Sequence, residues 1–370
     1  MKKRQLFVFS GQSNMLGACV YPASEQVAFQ NSYEYIHKNK RLGLSKSGFF
    51  KKEGFPCGEF VYKCPEKAYA NDITVGEKST LATYNVNTFF TSSMCNLKLE
   101  KEKSLFDFSY FSEATAPFAV SLPPFMVKGW EELGQQCAYA HIAKGGVQIR
   151  YFFNEEMMDS LNKKIVHYNS KYGTEIPLQV VTETTAGAGD YFLEKIVDFF
   201  ADSEETFVDE NLDTRCFFWL QGETYDACYP KILYKLYLET LWEKLKKIGF
   251  THFFCIRVGY WMKDGIVEIM KAQEEFCAEH CDTYMLTRVC SYMPMPNQDI
   301  KRWYGTKNIE EFLYCRDSYF GFDNHHINEK GFKIIANAAL KNLKRVLIDG
   351  KHVRLETEKC LLMKQENRLY

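Results

Sequence analysis

Hydrophobic positions along this chain form short apolar runs that alternate with segments of helical periodicity. The runs lie at 6–9, 138–143, 216–220, 253–258 and 285–289, and their length and continuous apolar character are typical of strands buried on both faces of a parallel sheet. The helical segments lie around 154–168, 191–200, 230–248, 266–277 and 332–346. This alternation predicts an α/β fold of three layers, in which helices cover both faces of a central parallel sheet.

The first apolar run stops abruptly at Gly11, and Ser13 follows almost at once. Ligands bind at the carboxyl ends of the strands in α/β folds, and a glycine permits a tight turn and a close approach of the backbone to a substrate. Ser13 is therefore a candidate nucleophile. This fragment taken alone leaves a second role open, because a serine after a strand also serves as the N-cap of the next helix.

A second candidate pair stands near the other end of the chain, just before the helical segment at 332–346. Asp323 and His326 are three residues apart, so they can face each other, whereas Asp323 and His325 generally cannot. A carboxylate beside an imidazole fixes its tautomer and stabilises the imidazolium, which the general base of a serine requires. The pattern indicates Ser13 as nucleophile, His326 as base and Asp323 as the residue that orients it.

Four segments carry a resemblance to a known family. They read Gly-Gln-Ser-Asn-Met at 11–15, Lys-Gly-Gly-Val-Gln-Ile at 144–149, Trp-Leu-Gln-Gly-Glu-Thr-Tyr-Asp at 219–226 and Asp-x-x-His at 323–326. In order and spacing they resemble the blocks of the SGNH-hydrolase superfamily, and within it the carbohydrate-esterase branch of sialate O-acetylesterases and acetylxylan esterases. The second block departs from the family pattern, since Val147 stands where a Ser or Thr is common.

The resemblance implies a flavodoxin-like strand order and a serine esterase that removes O-acetyl groups from sialic acid or another acetylated sugar. Ester hydrolysis passes through a tetrahedral oxyanion, so the site needs hydrogen-bond donors aimed at that charge. The candidate donors are the backbone N–H of Ser13, a backbone N–H of Gly145 or Gly146, and the side-chain amide of Gln221. By the same analogy, Gln12, Asn14 and Glu223 support these residues, Glu223 as a buried acceptor.

Two classes of function remain open. In the first, water releases acetate from an acetyl-serine; in the second, the chain is a carbohydrate O-acyltransferase or a non-hydrolytic carbohydrate-binding relative on the same fold. A sialic acid substrate needs a partner for its carboxylate, and a forked arginine such as Arg150 suits that group, although an arginine there is also an ordinary surface charge.

Length and composition indicate one large domain. A chain of 370 residues with 46% hydrophobic residues can bury a full core. We expect a single domain over 1–350, with an insertion at 21–127 and a tail at 351–370. The insertion is rich in aromatic residues and contains irregularly placed prolines, which read as breakers of regular structure. It either forms a wall of the site, with aromatic rings on which a sugar stacks, or packs on the sheet.

Charge and cysteine usage restrict the partners and the compartment. A net charge of −1 gives no electrostatic case for nucleic acid or an anionic membrane, and no apolar run approaches a membrane span. The amino-terminal apolar run is too short for a signal peptide, and 13 cysteines without a framework favour reduced thiols, so we expect a cytoplasmic protein. Cys277 to Cys281 lacks a second ligand pair, so neither a metal nor a cofactor is expected. The oligomeric state is left open.

Overall fold

A computed structural model describes residues 2–16, 29, 31–35, 60–62, 121–144, 147–182, 185, 187–223, 230–259, 266–293, 319–320 and 326–355. Its strands are β1 (Lys2–Lys3), β2 (Gln5–Gly11), β3 (Tyr33–Tyr35), β4 (Phe60–Tyr62), β5 (Cys137–Ala143), β6 (Glu210–Asn211), β7 (Arg215–Leu220), β8 (His252–Ile256) and β9 (Thr283–Thr287). Its helices are α1 (Ser13–Leu16), α2 (Leu122–Glu132), α3 (Glu155–Tyr172), α4 (Ala188–Thr206), α5 (Lys231–Ile248), α6 (Ile266–Glu279) and α7 (Glu329–Leu347). Two 3₁₀ turns, Ile149–Phe152 and Val289–Tyr292, complete the described elements.

A mixed sheet forms the centre of the molecule, with the spatial order β4-β3-β5-β2-β7-β8-β9. All its neighbouring strands run parallel except β3 and β4, which are antiparallel. Five neighbouring strands of this sheet follow the flavodoxin-like order 2-1-3-4-5 when they are renumbered by their position in the sequence: β5, β2, β7, β8 and β9. β2 and β7 therefore flank the point at which the strand order reverses, which is where such folds bind ligands.

Aromatic side chains pack on both faces of this sheet. On one face Phe9, Phe218 and Phe254 stack across neighbouring strands, with ring centroids 4.5 and 5.3 Å apart, and α2 covers this face through Trp130. On the other face Phe217 and Phe253 pack against rings from the covering helices, namely Phe192 of α4, Trp242 of α5 and Phe276 of α6. Adjacent residues of one strand thus serve opposite layers, and the predicted three-layer α/β fold is confirmed.

The largest difference from the sequence prediction lies at α2. Pro123 and Pro124, which read as breakers, lie in the first turn of this helix after Ser121 as its N-cap. Proline is accepted there because the first backbone N–H groups of a helix have no intrahelical partner. The helix begins inside the segment assigned to the insertion, most of which lies outside the described residues. Within the described ranges, no helix combines the length and the apolar character that crossing a lipid bilayer requires.

Candidate active site

The turn that presents Ser13 is fixed by the two strands beside β2. The backbone N–H of Gln12 donates to the carbonyl of Leu220 at 3.1 Å, and the N–H of Lys144 donates to the carbonyl of Gly11 at 3.1 Å. Gly11 has a φ of +152°, and a Cβ at this position would lie 1.8 Å from the Leu220 carbonyl oxygen. Only glycine fits this turn. Ser13 follows as the first residue of α1 and is 6% exposed.

A buried histidine supports the same turn from behind. His141 on β5 has no solvent exposure, and its Nε2 lies 2.9 Å from the carbonyl oxygen of Met15. A carbonyl can only accept, so Nε2 carries the proton in this contact. Burial lowers the pKa of His141 to about 4, and the ring is therefore neutral at physiological pH. It supplies a hydrogen bond to the carbonyl of Met15 in α1.

Asn14 joins three distant segments of the chain. Its Nδ2 donates to Glu223 Oε1 at 3.1 Å, and its Oδ1 accepts from the backbone N–H of Ile327 at 2.9 Å. Both Asn14 and Glu223 are fully buried. Because Ile327 directly follows the half-buried His326, this one side chain connects the Ser13 turn, the segment that follows β7 and the segment that carries His326.

The amide of Gln221 lies between the Ser13 turn and the segment that follows β5. Its Nε2 donates to Gln12 Oε1 at 3.2 Å and to the carbonyl of Val147 at 3.1 Å. Its Oε1 accepts from the hydroxyl of Tyr234 at 2.7 Å. The side chain is 1% exposed, so every one of these contacts lies in the protein interior.

Two cations stand on either side of the predicted diglycine. Lys144 is largely buried, and burial lowers its pKa to about 8. Arg150 lies in the 3₁₀ turn Ile149–Phe152 and is half-buried, and its Nε is buried without a hydrogen-bond partner within the described part of the chain. This segment of the site therefore carries positive charge, which sequence reasoning assigned to Arg150 alone.

Some predicted site residues lie outside the described residues. These are Gly145, Gly146 and Asp323, together with His325. The predictions for the diglycine donor and for the acid partner of His326 stay predictions. Over the ranges that are described, no group of three or more His, Cys, Asp or Glu side chains is placed to hold a metal ion.

Besides the charge of Lys144, sequence reasoning missed His141, Tyr234 and Gln273, the last of which donates from its side chain to the carbonyl of Gln221 at 2.9 Å. Tyr234 and Gln273 fall on the buried faces of their helices, where aromatic and long side chains are usually core material. His141 lies in an apolar strand, and nothing in its neighbours along the chain distinguishes it from a core histidine. The available sequence signal is that His141 lies on a strand that ends at the carboxyl edge of the sheet and that Tyr234 lies in the first turn of the helix that follows β7.

Comparison with known proteins finds likenesses of structure only. No family model matches the chain, and no curated protein matches it. A protein from Arabidopsis thaliana matches with a TM-score of 0.44 at 12% identity, over 92% of this chain and 99% of that one. NanS matches with a TM-score of 0.44 at 10% identity, over 93% and 98%. A carbohydrate acetylesterase from Xanthomonas citri matches with a TM-score of 0.45 at 11% identity, over 94% of this chain and 57% of that one. Likenesses this distant do not transfer a function.

Proposed function

We propose that this chain is a serine esterase that hydrolyses O-acetyl esters on a carbohydrate. Ser13 attacks the acetyl carbonyl while His326, oriented by Asp323, takes the hydroxyl proton. The sugar oxygen leaves with that proton, and an acetyl-serine remains. Water then attacks the acetyl-serine while His326 accepts a proton from the water; His326 returns this proton to Ser13 Oγ as that oxygen leaves, and acetate is released.

The observation that carries this proposal is the pair of hydrogen bonds made by Asn14. The bond from Ile327 to Asn14 joins residues 313 positions apart, and each of them is the direct neighbour of a proposed reacting residue. A serine that merely caps a short helix has no need of a histidine segment beside it. Convergence of the two segments at the switch point of the sheet supports the assignment of Ser13 and His326.

For the oxyanion we propose the backbone N–H of Ser13, a backbone N–H of Gly145 or Gly146, and the amide of Gln221. The contact from Gln221 to Gln12, at 3.2 Å, is at the long end for an N–H···O bond. An oxyanion formed beside Ser13 would take over this proton as a stronger, charged acceptor. Gln12 thus holds the donor in the absence of substrate.

The assignment of a carbohydrate as the substrate rests on the sequence resemblance. Arg150 is our candidate for binding the carboxylate if the sugar is a sialic acid. The buried Nε of Arg150, without a partner in the described ranges, leaves donor capacity for such a group. A substrate without a carboxylate would leave that guanidinium unused.

Hydrolysis of p-nitrophenyl acetate by the wild type and by Ser13→Ala tests the proposal. We expect the variant to lose about 10³-fold or more in kcat, by analogy with the removal of other catalytic nucleophiles, and to keep its fold. Release of acetate from a panel of acetylated sugars then identifies the substrate. Equal turnover by both proteins would refute the mechanism, and acetyl transfer to a second sugar without free acetate would indicate an acyltransferase.

A further inference from the structure

A buried polar cluster contacts Gln221 from two helices. The hydroxyl of Tyr234, on α5, is 2.7 Å from Gln221 Oε1 and 3.0 Å from the Gln221 carbonyl oxygen. Gln273, on α6, donates from Nε2 to the same carbonyl at 2.9 Å. Its Oε1 accepts from the backbone N–H of Val258 at 3.2 Å. Two helices thus hold both the backbone and the side chain of Gln221.

This arrangement determines which end of the Gln221 amide faces the Ser13 turn. The carbonyl of Val147 can only accept, so it must meet the nitrogen of the amide, as it does at 3.1 Å. The hydroxyl of Tyr234 supplies a proton to the oxygen at the opposite end. With the amide reversed, two oxygen atoms would meet at Val147, so the Val147 contact selects the orientation in which Oε1 faces the hydroxyl of Tyr234.

We propose that Tyr234 is a positioning residue for the oxyanion-stabilising amide of Gln221. This inference rests on the function proposed above. A proton donated to Oε1 holds the amide plane and draws electron density away from Nε2, which makes its N–H groups better donors to a developing negative charge. Gln273 supports the same unit by fixing the Gln221 backbone.

The hydroxyl of Tyr234 remains a donor under ordinary assay conditions. Burial raises the pKa of Tyr234 well above its ordinary value of 10.0. The contribution of this residue should therefore not titrate between neutral and mildly alkaline pH, and the pH profile of Tyr234→Phe should have the wild-type shape at a lower height.

The test compares Tyr234→Phe with Tyr237→Phe. Tyr237 lies on the same helix, is buried, and donates to Gln179 Oε1 at 3.1 Å, away from Gln221. Each variant loses one buried hydroxyl group. We expect Tyr234→Phe to lower kcat about tenfold, the effect of one hydrogen bond on a barrier, with KM changed less than about twofold. Tyr237→Phe should keep the wild-type kcat, while its free energy of unfolding in urea falls by about as much as that of Tyr234→Phe.

A double-mutant cycle separates positioning from general damage. If Tyr234 acts through Gln221, then Tyr234→Phe should cause no further loss of kcat in a Gln221→Ala background. An additive loss of kcat in the double variant would overturn the inference. So would an unchanged kcat in Tyr234→Phe, or equal losses of kcat in the two tyrosine variants. Should Tyr234→Phe fail to fold, Gln273→Met decides, since it removes the support of the Gln221 backbone; a selective fall in kcat supports the inference and an unchanged kcat overturns it.

Failure of this inference is distinguishable from failure of the proposed function. A wild-type protein that hydrolyses no acetyl ester contradicts the function itself. An active wild type that loses activity on Ser13→Ala, together with a Tyr234→Phe variant of full activity, leaves the function standing and removes only the role of Tyr234.

Discussion

Replacing Asn14 with alanine should damage both stability and catalysis. The change removes the hydrogen bonds that Asn14 makes to two buried groups, the Oε1 atom of Glu223 and the backbone N–H of Ile327. A buried polar group deprived of its hydrogen bond costs about 1 to 3 kcal/mol, so the two together should lower the free energy of unfolding by about 2 to 6 kcal/mol. Loss of the hydrogen bond to the Ile327 N–H also removes a contact that holds the segment carrying His326. A misplacement of about 1 Å in a reacting group can cost on the order of 10²-fold, and we expect kcat to fall by that factor.

A second buried asparagine provides the control. Asn342 on α7 donates to the carbonyl of Leu286 at 2.9 Å and accepts from the backbone N–H of Arg354 at 2.7 Å, so it also bridges two segments. Asn342→Ala should cost a comparable amount of stability and leave kcat unchanged. Urea titration measures the first quantity, and initial rates of p-nitrophenyl acetate hydrolysis at low temperature measure the second.

Two results would refute the reasoning about Asn14. A loss of less than about 1 kcal/mol in urea would show that the two contacts are replaced by water at little cost. A kcat unchanged in Asn14→Ala, or lowered equally in Asn342→Ala, would show that the bridge does not position His326.

Three further predictions concern His326, His141 and Gly11. His326→Ala should lower kcat nearly as much as loss of the nucleophile, about 10³-fold, whereas His325→Ala should have a mild effect; the opposite ranking of their rates would contradict the assignment. Because His141 is protonated in the folded protein only near pH 4 but in the unfolded chain near 6.5, the unfolded state binds more protons between these values. Stability should therefore fall by about 3 kcal/mol as pH drops through this window, and urea titrations of His141→Gln should show a shallower pH dependence. Gly11→Ala should unfold or displace β7, since its Cβ would lie 1.8 Å from the Leu220 carbonyl, and loss of soluble protein or of thermal stability would reveal this.

The sequence predicts those elements best whose pattern is both long and regular. β2 and β7 are continuous apolar runs, and α5 has a clear helical face followed by Gly249, which adopts a φ of +108° as its C-cap. β1 and β6 pair over only two residues each, too few to show any periodicity. α2 was missed because a proline in a first helical turn and a proline that ends a helix look alike in sequence.

The site could be predicted in its members and not in its contacts. Ser13 and His326 could be named because each stands at a turn signal beside a regular element. That Asn14 joins their segments depends on how the sheet and α7 pack, which no local pattern encodes. The role of Tyr234 depends likewise on its distance to Gln221, and a buried tyrosine on a helix is otherwise typical of an ordinary core position.

The hydrogen bond between Asn14 and Ile327 also has a consequence for when the site forms during synthesis of the protein. Synthesis produces Ser13 first and His326 313 positions later, so both segments must have been made before the bond between Asn14 and Ile327 can form. On the proposed function, a nascent chain holds its nucleophile with no base to activate it until His326 has been made. Enzymatic activity would then appear only when the segment that leads from His326 into α7 docks against the Ser13 turn, so turnover would report completion of the site more strictly than secondary-structure content does.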